Sequence, residues 1–370
     1  MHKRVQIAVA AFIVVVVGVI TWQVLYEREP VYQGKTLSIW LEEARPDWVS
    51  PETETAVRAM GTDALPPLLN MVRVRESVVR KALSELSTRQ RWLAIHVRAR
   101  GEIQRMAYCG FMVLGPTAKP AVPKLARLLE EDDPQVRCLA AHCLGNLGPT
   151  AADAVPALAA YLGRASKVNT GSVWDGRERF GAAYALCEIG PAARPAIPQL
   201  HLLTTLTNDS DWQARACAQA ALIKIRGESL LPLAEALKDT SDPASWFLEK
   251  GGNVILYLGT NAEPLIPVLL GVLQQTNVNI QNRGIEVLGK IHAHPETCIP
   301  AITPFLQSTN NRTREVSIDA LRAFGGAAKQ EVVLAEIIRC LNDPEGFVRT
   351  RATNALQRID PEAAAKAGIK

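Results

Sequence analysis

Apolar residues along most of this chain recur at the three- and four-residue spacing of amphipathic helices. Residues 118–148 contain two such stretches, and Asp133 and Pro134 lie between them. An aspartate can cap a helix and a proline can occupy its first turn, so this pair is typical of a helix start. Gly148 ends the second stretch, as expected of a residue that readily adopts a left-handed conformation. The pattern therefore predicts two helices joined by a short turn.

The same pair of helices recurs along the chain. A proline marks the start of the first helix in most units: Pro66, Pro123, Pro156, Pro198, Pro232, Pro267 and Pro300, with Leu334 in the equivalent place. The second helix is predicted to end at Gly115, Gly148, Gly190, Arg226, Gly259, His292, Gly325 and Asp360. One pair cannot bury both of its faces, but a stack of pairs can. We therefore expect an all-α stack of about nine pairs over residues 36–360, with insertions around 73–102 and 165–176.

The repeated unit resembles the HEAT family, in particular the bacterial units called phycobilisome-lyase HEAT-like repeats. The resemblance rests on Ala121-Val122-Pro123, Asp133, Val136-Arg137, Ala140 and Leu144-Gly145, as they stand in one unit. It implies a right-handed α-solenoid and says little about activity. It also implies structural repeat arginines that pair with a turn aspartate of the adjoining unit. These arginines are Arg137, Arg179, Arg215, Arg314 and Arg349, and the candidate aspartates are Asp133, Asp209, Asp242 and Asp343.

The N-terminus predicts a membrane anchor. A basic flank (1–4) precedes an apolar stretch (5–26) that is long enough, at about 1.5 Å per residue, to cross a bilayer. The basic flank predicts a cytoplasmic N-terminus and a solenoid on the extracytoplasmic, periplasmic side. A cleaved signal peptide, which leaves a secreted body, is the alternative, although bulky residues occupy the region where cleavage is expected. Residues 27–35 are expected to form a linker, and residues 361–370 a frayed tail.

Composition and motifs argue against the common enzyme classes. The net charge of +4 is too small to indicate a nucleic-acid binder, and seven cysteines without a Cys-x-x-Cys do not form a typical zinc site. No phosphate-binding loop, nucleophile elbow or zinc-protease motif occurs in the sequence. His292 and His294 are interpreted as part of a polar turn. We therefore expect no cofactor, no metal, no small-molecule substrate and no catalytic activity.

Two sets of residues are candidates for contacts with a partner. Trp174, Trp212 and Trp246 begin three consecutive second helices and are predicted to lie along one edge, with the segment 170–173 as a flap; the alternative is that each ring closes its own core. The second set is a basic segment for an anionic partner or lipid headgroups, or simply a solvated face. Its members are Arg73, Arg75, Arg80, Lys81, Arg89, Arg91, Arg98, Arg100 and Arg105.

Taken together, these features favour a membrane-anchored bacterial scaffold that binds another protein through its solenoid. A nucleic-acid or anionic-surface binding module is the alternative; it requires basic residues at equivalent exposed positions of many units, and an exported body meets no chromosome. The third interpretation is a lyase-like enzyme with an unrecognised site.

Overall fold

The computed structural model describes residues 29–46, 48–75, 98–168, 170, 172–206, 211–239, 241–242 and 253–369. Within the chain two compact units are distinguished, Met1–Ala118 and Lys119–Lys370. The predicted membrane segment, the middle of the basic segment (76–97), Asp209, Trp246 and Leu248 lie outside the described residues. Predictions that concern them stay predictions.

The first unit begins with a small hairpin that the sequence did not predict. Strand β1 (Val31–Tyr32) pairs antiparallel with β2 (Lys35–Thr36). The turn between them places Gln33 at φ 47° and Gly34 at φ 77°. Part of the expected linker is therefore folded. Four helices follow in the described part of this unit: α1 (Leu37–Trp40), α2 (Pro51–Met60), α3 (Leu65–Arg73) and α4 (Arg100–Leu114).

Helix α1 is shorter than the apolar pattern predicted. Leu37, Trp40, Leu41 and Ala44 have the spacing of one helical face, which predicts a helix through Ala44, but the helix ends at Trp40. Leu41 and Ala44 remain buried without being helical. A proline disfavours helical geometry at the residue before it, so Pro46 excludes a helix through Arg45 but does not account for the end at Trp40.

The second unit consists of first and second helices in alternation, as the repeat pattern predicted. Its helices are α5 (Val122–Leu128), α6 (Pro134–Asn146), α7 (Val155–Lys167), α8 (Val173–Ile189), α9 (Ile197–Thr204), α10 (Trp212–Arg226), α11 (Leu231–Lys238), α12 (Val254–Leu258), α13 (Ile266–Val272), α14 (Val278–Ile291), α15 (Pro295–Ile302), α16 (Asn311–Ala323), α17 (Glu331–Cys340), α18 (Gly346–Ile359) and α19 (Pro361–Lys366). Each second helix packs on the next, from α6 through α8, α10, α12, α14 and α16 to α18. We call this row the second-helix layer.

The connection from a second helix to the next first helix has a recurring geometry. After α8, Gly190 adopts φ 71° and ψ −135°, a conformation that favours glycine because it has no Cβ. A 3₁₀ segment then leads to α9, whose second residue is Pro198. Proline is tolerated there because the first N–H groups of a helix have no partner within the helix. Gly259 begins the same connection between α12 and α13.

Pro300 departs from this rule. It was predicted to start a helix, but it lies inside α15, which begins five residues earlier at Pro295. A 3₁₀ segment (Thr303–Gln307) follows α15 directly, so the order of the two elements is reversed in this unit. The proline at the first turn of α15 is Pro295, which accounts for the early start.

The C-terminal tail is folded rather than frayed. Asp360 accepts hydrogen bonds from the backbone N–H groups of Glu362 and Ala363 and so caps α19. Ala364 is buried, and α19 packs on α18.

Among the described residues, the stretch Val254–Val272 is long and apolar enough to cross a membrane. It contains two helices separated by a 3₁₀ segment. Leu258, Leu265 and Leu269 are completely buried in the stack. We therefore assign this stretch to the core of the second unit.

Candidate functional site

The repeat arginines bind backbone carbonyls in the turn after the preceding first helix or at the end of that helix. Nη1 of Arg137 lies 2.6 Å from the carbonyl oxygen of Glu131 and 2.9 Å from that of Asp132. Both residues lie in the turn between α5 and α6, so these bonds fix the turn that joins the two helices of a unit. Equivalent bonds run from Arg179 to Ala165 and Val168, from Arg215 to Leu206, from Arg314 to Ser308 and Thr309, and from Arg349 to Asp343 and Pro344.

Gln281, which replaces the arginine in one unit, makes the same local contact. Its Nε2 donates to the carbonyl of Leu273 at 3.2 Å and to the carbonyl of Gln275. A neutral amide reproduces the backbone contact but cannot form an ion pair. This unit therefore keeps the hydrogen bonds that hold its turn but lacks the ion pair to the next unit.

Three of the arginines also reach a carboxylate of the next unit. Their Nε–oxygen distances are 2.6 Å for Arg137 and Glu178, 2.9 Å for Arg179 and Asp211, and 2.7 Å for Arg314 and Asp343. The hydrogen bond from Arg314 lowers the pKa of Asp343 below its usual value, against the opposing effect of burial.

Two of these carboxylates differ from those implied by the resemblance. Glu178 and Asp211 take the role expected of turn aspartates such as Asp133, whose side chain instead accepts a hydrogen bond from the N–H of Gln135 at the start of α6. The resemblance implied a turn aspartate of the adjoining unit as the partner of each arginine. The actual partners follow from which carboxylate faces the guanidinium across the second-helix layer.

Two of the three tryptophans are described, and both begin a second helix. Trp174 is the second residue of α8 and Trp212 is the first residue of α10, and each ring is partly exposed. The guanidinium of Arg177 lies 5.1 Å from the ring centre of Trp174. Near it, the backbone N–H of Thr170 donates to Asp175. That contact ties this part of the predicted flap to its own helix.

Trp212 lines a groove of about 380 Å³ at the starts of several second helices. Besides Trp212, it is lined by Asn253, Asn279, Asn282, Arg283, Glu286, Arg312 and Val316. These side chains come from α10, α14, α16 and the residue that precedes α12. We call it the tryptophan groove.

Two of the three asparagines of the tryptophan groove, Asn253 and Asn282, are buried and suited to recognise a peptide backbone. Asn253 is 5% exposed and Asn282 is 9% exposed. Asn282 Oδ1 accepts a hydrogen bond from Thr313 Oγ1 at 2.7 Å, which directs its NH₂ group away from that hydroxyl. Within the described part of the chain, no hydrogen bond uses the side-chain amide of Asn253. A carboxamide both donates and accepts, as a peptide unit does.

Both arginines of the tryptophan groove form ion pairs, one with a glutamate of the groove and one with a glutamate outside its lining. Arg283 Nη1 lies 3.0 Å from Glu286 Oε2, and Arg312 Nη1 lies 2.7 Å from Glu315 Oε2. The groove therefore offers amides and one indole ring rather than an excess of positive charge.

A larger cavity, of about 580 Å³, opens near the other ends of the second helices. Its rings come from Phe180 and Tyr184 on α8 and Tyr257 on α12. Phe180 lies 6.2 Å from Tyr184 and 5.9 Å from Tyr257, measured between ring centres. His142 stacks on Tyr184 with its ring centre 5.6 Å away. We call it the aromatic cavity. The sequence analysis missed it, although the four-residue spacing of Phe180 and Tyr184 places them on one face of a helix.

Polar groups accompany these rings. Lys224 Nζ lies 3.3 Å from Glu188 Oε1, and the lysine side chain is only 10% exposed. Lys290, an exposed residue at the end of α14, lines the same cavity. Cys187 also lines it and is fully buried.

The basic segment is only partly exposed where it is described. Arg73 and Arg75 are exposed, but Arg100 is 9% exposed. Arg105 donates to the carbonyl of Glu42 at 2.8 Å, and Arg98 lies 3.6 Å from the Glu42 carboxylate. Arg98 and Arg105 thus contact Glu42 within the first unit, and the anionic contact predicted for the basic segment stays a prediction.

The two histidines lie in a polar turn, where both adopt positive φ angles, 38° for His292 and 51° for His294. Nε2 of His294 lies 3.1 Å from Glu263, and Nδ1 lies 3.2 Å from Glu296. Hydrogen bonds with Glu296 and Glu263 raise the pKa of His294. No group of three or more metal-ligating side chains occurs in the part of the chain that the structure describes.

Two family profiles match segments of this helix stack. A profile of HEAT repeats matches residues 266–357, and a profile of a HEAT-like repeat matches residues 98–147. The chain contains HEAT-type repeats. Arg137, Arg314 and Arg349 lie within the matched segments, and the stack is an all-α solenoid that contains such units.

Two solved structures match the chain at low sequence identity. An engineered protein matches with 18% identity and a TM-score of 0.34, covering 90% of this chain and 86% of its own. Human deoxyhypusine hydroxylase, in complex with glycerol, matches with 16% identity and a TM-score of 0.38, covering 82% of this chain and 98% of its own. No curated protein matches the chain.

Proposed function

We propose that this chain is a non-catalytic, membrane-anchored scaffold whose HEAT-type repeats bind an extended segment of another protein in the tryptophan groove. The observation on which the proposal rests is the half-buried ring of Trp212 beside the buried amides of Asn253 and Asn282. Tryptophan supplies a large apolar contact with a polar edge and is enriched among residues that dominate protein interfaces. The amides match the N–H and C=O groups of an extended backbone.

A protein partner fits this groove better than a nucleic acid does. Nucleic-acid affinity depends on positive charge that is free to neutralise phosphates. In the described second unit the repeat arginines hold carbonyls and carboxylates, and the groove arginines Arg283 and Arg312 pair with glutamates.

The anchor is the second part of the proposal. Residues 5–26 form the membrane segment, and the solenoid then lies on the periplasmic side. The apolar length and the interfacial residues Trp22 and Tyr26 support an uncleaved segment. Mass spectrometry of the mature N-terminus tests it: a chain that keeps residues 5–26 is expected, and a chain that begins between residues 20 and 35 contradicts the anchor.

Binding in the groove can be tested with peptides selected from a random display library against the purified full-length chain. We expect selected peptides to bind Trp212→Ala and Asn282→Ala at least tenfold more weakly than the unchanged chain. Each substitution removes one side chain that contacts the peptide in the groove. The melting temperature of Trp212→Ala should fall by less than that of a variant lacking a fully buried ring, because the ring of Trp212 is only half-buried.

Phe347→Ala is the matched control. Phe347 is also an aromatic residue at the start of a second helix and is 43% exposed, but it does not line the groove. Peptide affinity should be unchanged in this variant. Selected peptides that bind Trp212→Ala as tightly as the unchanged chain contradict the proposed site.

A further inference from the structure

Four consecutive second helices build the aromatic cavity. Phe180 and Tyr184 come from α8, Lys224 from α10, Tyr257 from α12 and Lys290 from α14. Helix α10 packs on both α8 and α12. Most of its buried side chains are short, which lets the rings of Phe180 and Tyr257 approach to 5.9 Å between their centres. These short residues are Ala214, Ala216, Cys217, Ala218, Ala220 and Ala221.

The aromatic rings of the cavity hold one another in place and remain partly exposed. The His142 ring covers one face of Tyr184, on which it stacks with an angle of 28° between the ring planes. Phe180, Tyr184 and Tyr257 are nevertheless only half-buried, and all three line the cavity. A planar ligand can therefore pack against rings that are already ordered. The cavity volume of about 580 Å³ lies within the range of about 300–1,000 Å³ that small-molecule sites occupy.

The charged side chains that line the cavity leave one positive charge in excess. They are Lys224, Lys290 and Glu188. Lys224 Nζ is held 3.3 Å from Glu188 Oε1, and the lysine side chain is only 10% exposed. Lys290 is exposed at the end of α14 and supplies the excess charge. Opposite charges attract more strongly beside a low-dielectric wall than in bulk water, so an anion is favoured in this cavity over a cation.

We propose that the aromatic cavity is a binding site for a small aromatic carboxylate. The ring of the ligand packs on Phe180, Tyr184 and Tyr257, and its carboxylate pairs with the ammonium of Lys290. Rings also bind organic cations, but the two lysines of this cavity disfavour them. The aromatic cavity and the tryptophan groove share no lining residue, so the two proposals stand or fall separately.

Three probes that share a naphthalene ring and differ in charge test the ligand class. They are naphthoate, naphthamide and naphthylmethylammonium, and their binding to the full-length chain is measured by calorimetry at low salt and neutral pH, with detergent alone as the blank. We expect naphthoate to bind at one site per chain, roughly threefold or more tighter than naphthamide, with the ammonium compound weakest. Naphthoate that does not bind saturably, or binds no tighter than the other two probes, overturns the proposal.

Two substitutions that remove opposite charges should move the affinity for naphthoate in opposite directions. Lys290→Gln removes the exposed ammonium and should weaken binding by about two- to fivefold, as expected for an exposed ion pair. Glu188→Gln removes the carboxylate that competes for Lys224 and should strengthen binding by a similar factor. A defect in folding weakens binding in both variants, so opposite shifts identify a contact with the ligand. Shifts in the same direction, or none in either variant, contradict the placement of the carboxylate.

Tyr257→Leu tests the ring contact, because it keeps an apolar side chain but removes one aromatic surface. Binding of naphthoate should weaken by about two- to tenfold. The matched controls are Phe347→Ala and Lys238→Gln, since these side chains are 43% and 58% exposed and neither lines the cavity. Both controls should bind naphthoate as the unchanged chain does, and circular dichroism establishes that each variant is folded. Unchanged affinity in Tyr257→Leu, or an equal loss in the controls, overturns the assignment to this cavity.

Discussion

Two parts of the second-helix layer differ in how closely their neighbouring helices pack. Between α14 and α16 the helices approach so closely that a Cβ on Gly289 would lie 2.6 Å from the Cα of Ala320. Around α8, α10 and α12 the helices instead enclose the aromatic cavity of about 580 Å³. The first part is closed by backbone contact, and the second leaves side chains facing an open space.

This difference separates residues with a structural role in many units from residues that line a groove or a cavity in one place. Residues that recur from unit to unit, such as Arg314 and Gly325, hold turns and neighbouring units together. Trp212, Tyr257 and Cys187 have no such recurring role and line a groove or a cavity. In a solenoid, stability is a sum over neighbours, so single units can depart from the pattern without loss of the stack.

The largest expected effect is the loss of the buried ion pair in the open part. The side chains of Arg179 and Asp211 are 3% and 1% exposed and lie 2.9 Å apart. Asp211→Asn leaves the guanidinium buried without its charge partner, which is expected to cost about 3–5 kcal/mol. Denaturant unfolding followed by circular dichroism measures this change.

Glu235→Gln is the control for that substitution. Its partner is Lys238, and the two side chains are 68% and 58% exposed. Removing an exposed pair should change the free energy of unfolding by less than about 1 kcal/mol. Equal effects of the two substitutions would mean that burial does not distinguish the pairs.

The closed part should be sensitive to a single methyl group. Gly289→Ala must separate α14 from α16, and overpacking of this kind costs about 1–3 kcal/mol. Gly271 offers a matched control, since its Cβ would meet nothing within 4 Å. Gly271→Ala should be neutral or stabilising by about 1 kcal/mol at most, because alanine is the better helix former. A tolerated Gly289→Ala would show that the two helices are not in backbone contact.

The sequence predicted the recurring turns of the second-helix layer better than the side chains that meet between its units. Second-helix ends at Gly190 and Gly259 followed from spacing because the connection requires a conformation that few other residues adopt. The aromatic cavity depends on rings from α8 and α12 meeting across the layer, and a periodic pattern does not specify which side chains of different units meet. For the same reason, Glu178 was not identified as the partner of Arg137.

The smallest expected effect concerns pH. The pKa of His294 is raised by its hydrogen bonds with Glu296 and Glu263, so the folded chain binds this proton more tightly than the unfolded chain. The stabilisation is fully present below the unfolded pKa of about 6.5 and is lost as pH rises through the folded pKa. Melting temperatures at pH 6 and pH 8 should therefore differ slightly more in the unchanged chain than in His294→Asn. Asparagine suits the control because it tolerates the positive φ.

The central claim is that the tryptophan groove is the binding site. Amide hydrogen exchange tests it most directly, measured on the full-length chain with and without a peptide selected for binding. The account predicts slower exchange in the first turns of α10, α14 and α16, where Trp212, Asn282 and Arg312 line the groove, and unchanged exchange in α18. Protection confined to α18, or spread evenly over all second helices, would contradict it.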